Sequence, residues 1–290
     1  MPVEAYQPFL LELLLPQLSE GGQAWIRKQL TAEPSDQVFY LAFTGAPRFV
    51  GKLPLRVTTK QVAEANRLRT GFNPQNWTAD QLARTALLLQ ALPASPHDLT
   101  ARLDRLFSTA DLGELVALYA ALPLLPHPQI HVKRAAEGVR TTMTAVFDAI
   151  ALRNPYPHDY LSEEAWNQLV LKAVFNARPL HQIYGLEERR NAPLARILFD
   201  YAHERWAAGR TLTPEVWRLV GPYLTDDHRA DMQRLLRSDN LLEAQAAALA
   251  LTESNTSWAT ELLNQHPVAR QINEPEVVSW QSIGESAYAS

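Results

Sequence analysis

Prolines interrupt this chain at short intervals, and the apolar residues between them recur with the spacing of an α-helix. The sequence has 290 residues, of which 20 are proline and only 11 are glycine. Proline is tolerated in the first turn of a helix and excluded from its interior, so this composition is typical of short helices that begin and end often. The cap residue Ser95 directly precedes Pro96, and Thr78 with Gln81 has the pattern of a capping box. No stretch alternates as a strand does, so the chain is predicted to be all-α.

Helical spacing extends over most of the sequence. Together with start and stop signals it predicts helices at residues 3–15, 22–31, 35–43, 58–69, 78–91, 96–107, 111–121, 129–153, 159–177, 191–208, 214–220, 226–237, 240–253 and 256–265. The segment 45–57 has the weakest helical pattern and reads equally well as an irregular loop. From residue 266 the pattern indicates an extended or disordered tail, which follows a single elongated domain over residues 1–265.

Two stretches of the sequence share a weak internal repeat. Residues 103–122 and 233–251 each combine a short helix, a turn near a serine and a second helix rich in Ala and Leu. Small residues let neighbouring helices pack closely, as they do in helical-repeat proteins. The repeat favours an irregular HEAT-like helical solenoid, and a closed multi-helix bundle is the alternative.

Composition excludes several classes of protein. The chain has no cysteine, so disulfides, thiolate metal sites and cysteine nucleophiles are excluded. The formal net charge of −4 argues against a nucleic-acid binder. No apolar run reaches the roughly 18 residues of a membrane span, and Glu12 interrupts the N-terminal run that resembles a signal peptide. We expect a cytoplasmic protein without cofactor or metal ion, and leave open its peripheral association with the inner face of the membrane.

Familiar catalytic motifs are missing from the sequence. His203-Glu204 begins the zinc-protease pattern HExxH, but Ala207 occupies the position of the second histidine. The acidic segment 226–231 has one residue too many for the DDxxD motif of all-α terpenoid enzymes. Glycine-rich phosphate loops, dinucleotide fingerprints and nucleophile elbows are also absent. The chain is therefore predicted not to be an enzyme.

Several long strings in residues 154–221 carry a family resemblance. They are Asn-Pro-Tyr-Pro at 154–157, Trp-Asn-Gln-Leu-Val-Leu-Lys-Ala at 166–173, Arg-Arg-Asn at 189–191, Asp-Tyr-Ala-His-Glu-Arg-Trp-Ala-Ala-Gly-Arg at 200–210 and Trp-Arg at 217–218. With these strings the chain resembles the bacterial EboA family of metabolite traffic proteins. The resemblance implies an all-helical fold and supplies no catalytic residues.

The resemblance also implies a role and partners. The family lies in a gene cluster with a membrane prenyltransferase-like protein, and the cluster is linked to export of a natural-product precursor, such as an indole-alkaloid or scytonemin-type intermediate, across the cytoplasmic membrane. The chain is expected to act there as an adaptor or carrier, with partner proteins from the cluster and an aromatic small molecule as candidate ligands. The alternative is an all-α enzyme acting on an aromatic or isoprenoid metabolite, with His203 and Asp200 as its acid–base pair.

The densest polar residues lie on the predicted helices 159–177 and 191–208 and beside them. A solvated helix face is the simpler explanation of such a pattern. As a binding surface, the aromatic residue would stack on a ligand, the amide and imidazole would orient it, and the cations would hold a carboxylate or an acidic partner surface. The predicted contacts are Trp166, Asn167, Lys172, Arg190, His203 and Arg205, and all six are expected to share one groove.

Overall fold

The computed structural model describes residues 5–31, 35–268 and 278–289. Within these ranges the chain folds into α-helices and short 3-10 helices, and strand-type pairing is limited to one isolated bridge between Pro54 and Thr78. The all-α prediction is confirmed. Each repeat-like stretch forms two consecutive helices, whereas the stacking of such pairs into a solenoid stays a prediction.

The α-helices are labelled in chain order. They are α1 Tyr6–Leu14, α2 Glu20–Thr31, α3 Asp36–Val50, α4 Thr59–Leu68, α5 Ala79–Gln90, α6 Pro96–Thr109, α7 Leu112–Ala121, α8 Val132–Arg140, α9 Thr144–Ala151, α10 Tyr156–Tyr160, α11 Glu163–Phe175, α12 Ala192–Ala207, α13 Arg229–Leu236, α14 Leu241–Thr252, α15 Ser257–Gln265 and α16 Trp280–Ala287. The 3-10 helices are Leu15–Gln17, Leu122–Leu124, Pro128–His131, Leu180–Gln182, Pro214–Leu219, Gly221–Tyr223 and Asp226–His228.

The chain divides into two compact units, Met1–Ala165 and Trp166–Ser290. Each unit has its own buried centre, and each is described by itself. The single elongated domain over residues 1–265 stays a prediction.

Helix α5 forms the centre of the first unit. Every residue from Ala79 to Leu89 is buried, and α1, α3 and α7 pack against this helix. The capping box predicted at its start is confirmed, since the Thr78 N–H donates to Gln81 Oε1 at 3.4 Å. A helix buried on all sides has to place any polar side chain among neighbours that satisfy it.

Arg84 of α5 has such neighbours on two helices. Its Nε donates to the Phe43 carbonyl at 3.0 Å, and Nη1 donates to Asp80 Oδ2 at 2.7 Å. The Thr78 hydroxyl donates to the other Asp80 oxygen at 2.7 Å. The buried cation therefore ties α5 to the backbone of α3, and its counter-ion is held by the residue that caps α5.

The end of α3 differs from the prediction. The sequence predicted a helix at 35–43 and an uncertain segment beyond it, whereas α3 continues to Val50 and ends at Gly51 with φ of 76°. Phe43, Ala46 and Val50 recur at helical spacing and are all buried, so packing continues the helix. Pro47 lies inside α3 and conceals this pattern in the sequence.

Two long predicted helices are each broken in the structure. The segment predicted as 129–153 forms α8 and α9, because the chain leaves the helix at Thr141, whose hydroxyl accepts from the Met143 N–H at 3.2 Å. Such local side-chain bonds compete with helical ones. The segment predicted as 159–177 likewise forms α10 and α11, separated by extended backbone at Leu161.

A short 3-10 helix, Pro214–Leu219, forms the centre of the second unit. All six of its residues are buried, and α12, α14 and α16 pack against it. The sequence predicted an extended or disordered tail from residue 266, whereas residues 280–287 form the helix α16. Ile283 of this helix is buried, so α16 packs through the side that carries Ile283. Part of the expected tail, residues 269–277, lies outside the described residues.

Replacing the counter-ion of Arg84 tests the importance of the buried pair. The Asp80→Ala variant leaves a desolvated guanidinium with half of its partners, and we expect the free energy of unfolding to fall by about 3–5 kcal/mol. Chemical denaturation monitored by circular dichroism measures this change. The matched control is Glu64→Ala, which removes the exposed Glu64–Arg67 pair and should lower the free energy of unfolding far less than Asp80→Ala does. Equal losses in the two variants would contradict the assignment.

Candidate functional site

A depression of ≈ 450 Å³ opens on the second unit. The end of α11, the second half of α12, the loop after α12 and the end of α16 line it. Its principal side chains are those of Phe175, Tyr201, Arg205, Thr213 and Tyr288. We call it the aromatic depression.

Aromatic rings form one side of this depression. Phe175 and Tyr201 have ring centroids 4.7 Å apart at an interplanar angle of 56°, and Phe175 is 54% exposed. The Tyr288 hydroxyl donates to the Arg178 carbonyl at 2.8 Å, which holds the third ring at the end of α16. Tilted aromatic pairs of this kind offer a ligand ring both a face and an edge.

Arg205 places a fixed cation beside these rings. Its Nε and Nη2 donate to the Thr211 carbonyl at 3.2 and 2.9 Å, so the guanidinium closes the loop that follows α12. The guanidinium carbon lies 6.0 Å from the centroid of the Tyr201 ring. An aromatic ligand in this depression would lie beside a positive charge whose position is set by the backbone.

Glu215 follows the lining residue Pro214 in the buried 3-10 helix of the second unit. The residue is completely buried, and its carboxylate accepts from the Leu180 N–H at 2.9 Å, the His181 N–H at 2.5 Å and His181 Nδ1 at 3.1 Å. Burial raises the pKa of Glu215 above its ordinary value, while His181 and the two N–H groups act in the opposite sense. Gly284 of α16 lies directly over the pair, since a Cβ there would be 2.5 Å from both Glu215 Oε1 and His181 Nδ1.

Comparison with known proteins then identifies the family. A family model described as metabolite traffic protein EboA matches residues 7–221. The chain belongs to the EboA family. The resemblance seen in residues 154–221 is thereby confirmed and extends to the N-terminal helices. Curated proteins and solved structures gave no match.

The EboA match places most of the aromatic depression within the family region. Phe175, Tyr201, Arg205 and Thr213 lie inside residues 7–221, whereas Tyr288 lies beyond them. None of the helices in the described ranges combines the length and apolar character needed to cross a bilayer. The same residues contain no group of three or more His, Asp or Glu side chains arranged to hold a metal ion.

Trp166 and Asn167, two adjacent predicted contacts on α11, both have structural partners inside the second unit. Trp166 is fully buried, and the Arg189 guanidinium carbon lies 4.9 Å from its ring centroid. The side chains of Asn167 and Asn191 donate to each other at 3.1 and 2.8 Å. Asn191 also caps α12 by accepting from the Leu194 N–H at 2.9 Å. Asn167 thus joins α11 to the start of α12.

Lys172 and Arg190 lie in partly buried surroundings. Burial lowers the pKa of Lys172 below its ordinary value. Arg190 donates to the carbonyls of Glu187 and Arg218 at 3.1 and 3.0 Å, and it pairs with the Glu253 carboxylate. The Trp280 indole donates to the same carboxylate at 3.0 Å, so Arg190 and α16 share a partner.

His203 pairs with a different carboxylate from the one considered in the enzyme alternative. Its Nε2 lies 2.8 Å from Asp231 Oδ2, and the imidazole is 54% exposed. The enzyme alternative paired His203 with Asp200, whereas in the structure its partner is Asp231 of α13. The contact joins α12 to α13 on the surface of the second unit.

Of the six predicted contacts, Arg205 lines the aromatic depression and the other five do not. The structure therefore does not bring them together there, and their role in binding stays a prediction. Sequence reasoning missed the rings of Phe175, Tyr201 and Tyr288. Tyr201 was visible within the string at 200–210, but Tyr288 reaches the depression only through the packing of α16.

A larger depression of ≈ 830 Å³ lies on the first unit. Its lining is mostly apolar and includes Pro8, Leu11, Leu89 and Pro126. His127 is its one ionisable lining residue among those the structure describes. It offers less for orienting a ligand than the aromatic depression, because its described lining contains neither an Arg or Lys side chain nor a Phe, Tyr or Trp ring.

Gly284→Ala tests the close approach of α16 to the Glu215–His181 pair. The new methyl group would overlap both side chains, and we expect the free energy of unfolding to fall by about 1–3 kcal/mol. Chemical denaturation measures the loss. Gly21→Ala is the control, because nothing lies within 4 Å of its Cβ and alanine favours helix by up to about 1 kcal/mol. A Gly284→Ala variant as stable as the wild type would refute the packing described.

Proposed function

We propose that this EboA-family protein carries an aromatic metabolite in a non-enzymatic step of metabolite traffic. The observation that supports this proposal is the juxtaposition of three aromatic rings and one fixed guanidinium in the aromatic depression. The carried molecule is a natural-product precursor, and its traffic leads across the cytoplasmic membrane. The description of the family as metabolite traffic proteins supports a role in metabolite traffic.

The dimensions of the depression suit a small aromatic molecule. Pockets for small ligands usually measure about 300–1,000 Å³, and the aromatic depression measures ≈ 450 Å³. Phe175 contributes an exposed ring at the end of α11, and Tyr201 contributes one from α12. Since both helices are fixed by packed side chains, the rings need little reordering when a ligand enters.

A second role, as an adaptor, is favoured by an exposed apolar face on the first unit. Val38, Leu41 and Phe49 lie on one side of α3 by helical spacing, and Leu41 is 67% exposed. Trp25 stacks on Phe49 with centroids 4.6 Å apart and adds a further ring. We propose that this face contacts the membrane prenyltransferase-like protein of the same gene cluster, since contiguous apolar patches mark interaction surfaces.

Binding of neutral two-ring aromatics tests the carrier role. Isothermal titration calorimetry with indole-3-acetamide should show saturable binding to the wild-type chain. Phe175→Ala removes a stacking face and should weaken this binding roughly 3- to 10-fold. The reason is that an aromatic contact contributes about 0.5–1.5 kcal/mol beyond its buried area.

Ile197→Ala is the matched control for this measurement. Ile197 is an apolar residue of α12 that is 37% exposed and does not line the depression. Its truncation should leave the affinity unchanged. Absence of binding in the wild type, or equal weakening by both variants, would remove the carrier role from this depression.

Co-purification with the membrane prenyltransferase-like protein tests the adaptor role. In detergent, the wild-type chain should retain that partner, and Leu41→Glu should reduce its recovery at least about tenfold, because the new carboxylate must be desolvated in the contact. Leu241→Glu is the control, since Leu241 is an exposed leucine of the second unit. Undiminished recovery with Leu41→Glu would exclude α3 as the contact surface.

A further inference from the structure

A further depression, of ≈ 420 Å³, lies beside the aromatic depression on the second unit. Its cationic lining consists of Arg210, Arg234 and Arg237, and the indole of Trp206 forms another part. We call it the basic depression. Its residues come from the end of α12, the following loop, the end of α13 and the turn before α14.

Stacked rings hold one of these arginines in place. The Arg234 guanidinium carbon lies 4.4 Å from the centroid of the Trp206 ring. Trp206 in turn stacks on Trp217, with centroids 5.7 Å apart and an interplanar angle of 25°, and Trp217 is buried. A guanidinium that stacks on an indole keeps its N–H edges available for a carboxylate or a phosphate.

The charge balance of the basic depression favours an anion. Three guanidinium groups line it together with two carboxylates, those of Asp239 and Glu243. Glu243 accepts from the Ser238 hydroxyl at 2.6 Å. Among the residues that the structure describes, none of these three arginines forms an ion pair within 4.0 Å. Unpaired guanidinium groups gathered around one concavity attract a negatively charged group.

The two depressions share parts of their lining. Thr211 lines both of them, and Arg205 holds its carbonyl from the aromatic side. The turn at 238–243 also contributes to both, with Asn240 and Leu242 on the aromatic side and the neighbouring residues on the basic side. A ligand that spans Thr211 can therefore place a ring in one depression and a charged substituent in the other.

We infer that the carried metabolite is an aromatic compound with an anionic substituent, a carboxylate or a phosphate, which binds in the basic depression. The inference rests on the proposed carrier function and specifies the class of its ligand. The aromatic depression holds the rings, and Arg234 and Arg237 hold the anion. Recognition of the charge then selects anionic metabolites over neutral ones of the same shape.

A matched series of acids and amides tests this inference. Indole-3-acetate, indole-3-propionate and indole-3-butyrate are titrated beside the corresponding amides, and 3-indoxyl phosphate supplies the phosphate form. At least one anion should bind about 5- to 10-fold more tightly than the neutral amide, as expected for a charge-assisted bond to arginine. The preference should decrease as ionic strength rises, because these arginines are exposed.

Arginine variants locate the effect. Arg234→Gln and Arg237→Gln should each reduce the preference for the acid and leave the affinity for the amide unchanged. Arg196→Gln is the matched control, since Arg196 is exposed on α12 and lines neither depression. Inorganic phosphate should compete with the acids and not with the amides.

The outcomes separate this inference from the carrier proposal. Equal affinities of acids and amides across the series would overturn the anionic class while leaving the carrier function intact. A preference for acids that survives in both Arg234→Gln and Arg237→Gln would also overturn it. Failure of every aromatic probe to bind the wild type would instead reject the carrier function itself.

Discussion

Burial of charge at the centre of each unit is the constraint on which the remaining structure depends. A charged group removed from water destabilises a protein by several kcal/mol unless hydrogen-bond partners surround it. Arg84 finds such partners in Asp80 and the backbone of α3. Glu215 finds them in the N–H groups of Leu180 and His181. The Phe43 carbonyl and the N–H groups of Leu180 and His181 come from distant parts of the chain, so these contacts tie other elements to each central helix.

The sequence predicted the presence of helices better than the residues at which they begin and end. Helical spacing, caps and first-turn prolines are local signals, and they were sufficient for the all-α class and for most helices. The continuation of α3 through Pro47 and the packing of α16 depend on buried contacts with residues far along the chain. The break at Thr141 depends on one hydroxyl that bonds to a nearby N–H. Such competition between local bonds cannot be judged from periodicity alone.

The candidate site was predictable only in part, because polar residues serve two purposes. Asn167 and Arg190 stood out by their chemistry, yet the structure gives both of them partners within the unit. Arg205 was the one predicted contact that lines the aromatic depression. The rings of Phe175 and Tyr288 carried no sequence signal, since exposed aromatic residues become meaningful only when the fold places them together.

The position of α16 has a consequence for variation of the aromatic depression among relatives. The family match ends at residue 221, whereas α16 and Tyr288 lie beyond it. One side of the aromatic depression is thus supplied by a C-terminal helix outside the matched region, and the close packing of this helix requires a glycine at 284. Exchange of the other exposed residues of that element would reshape the aromatic depression without disturbing the buried residues that hold α16 in place.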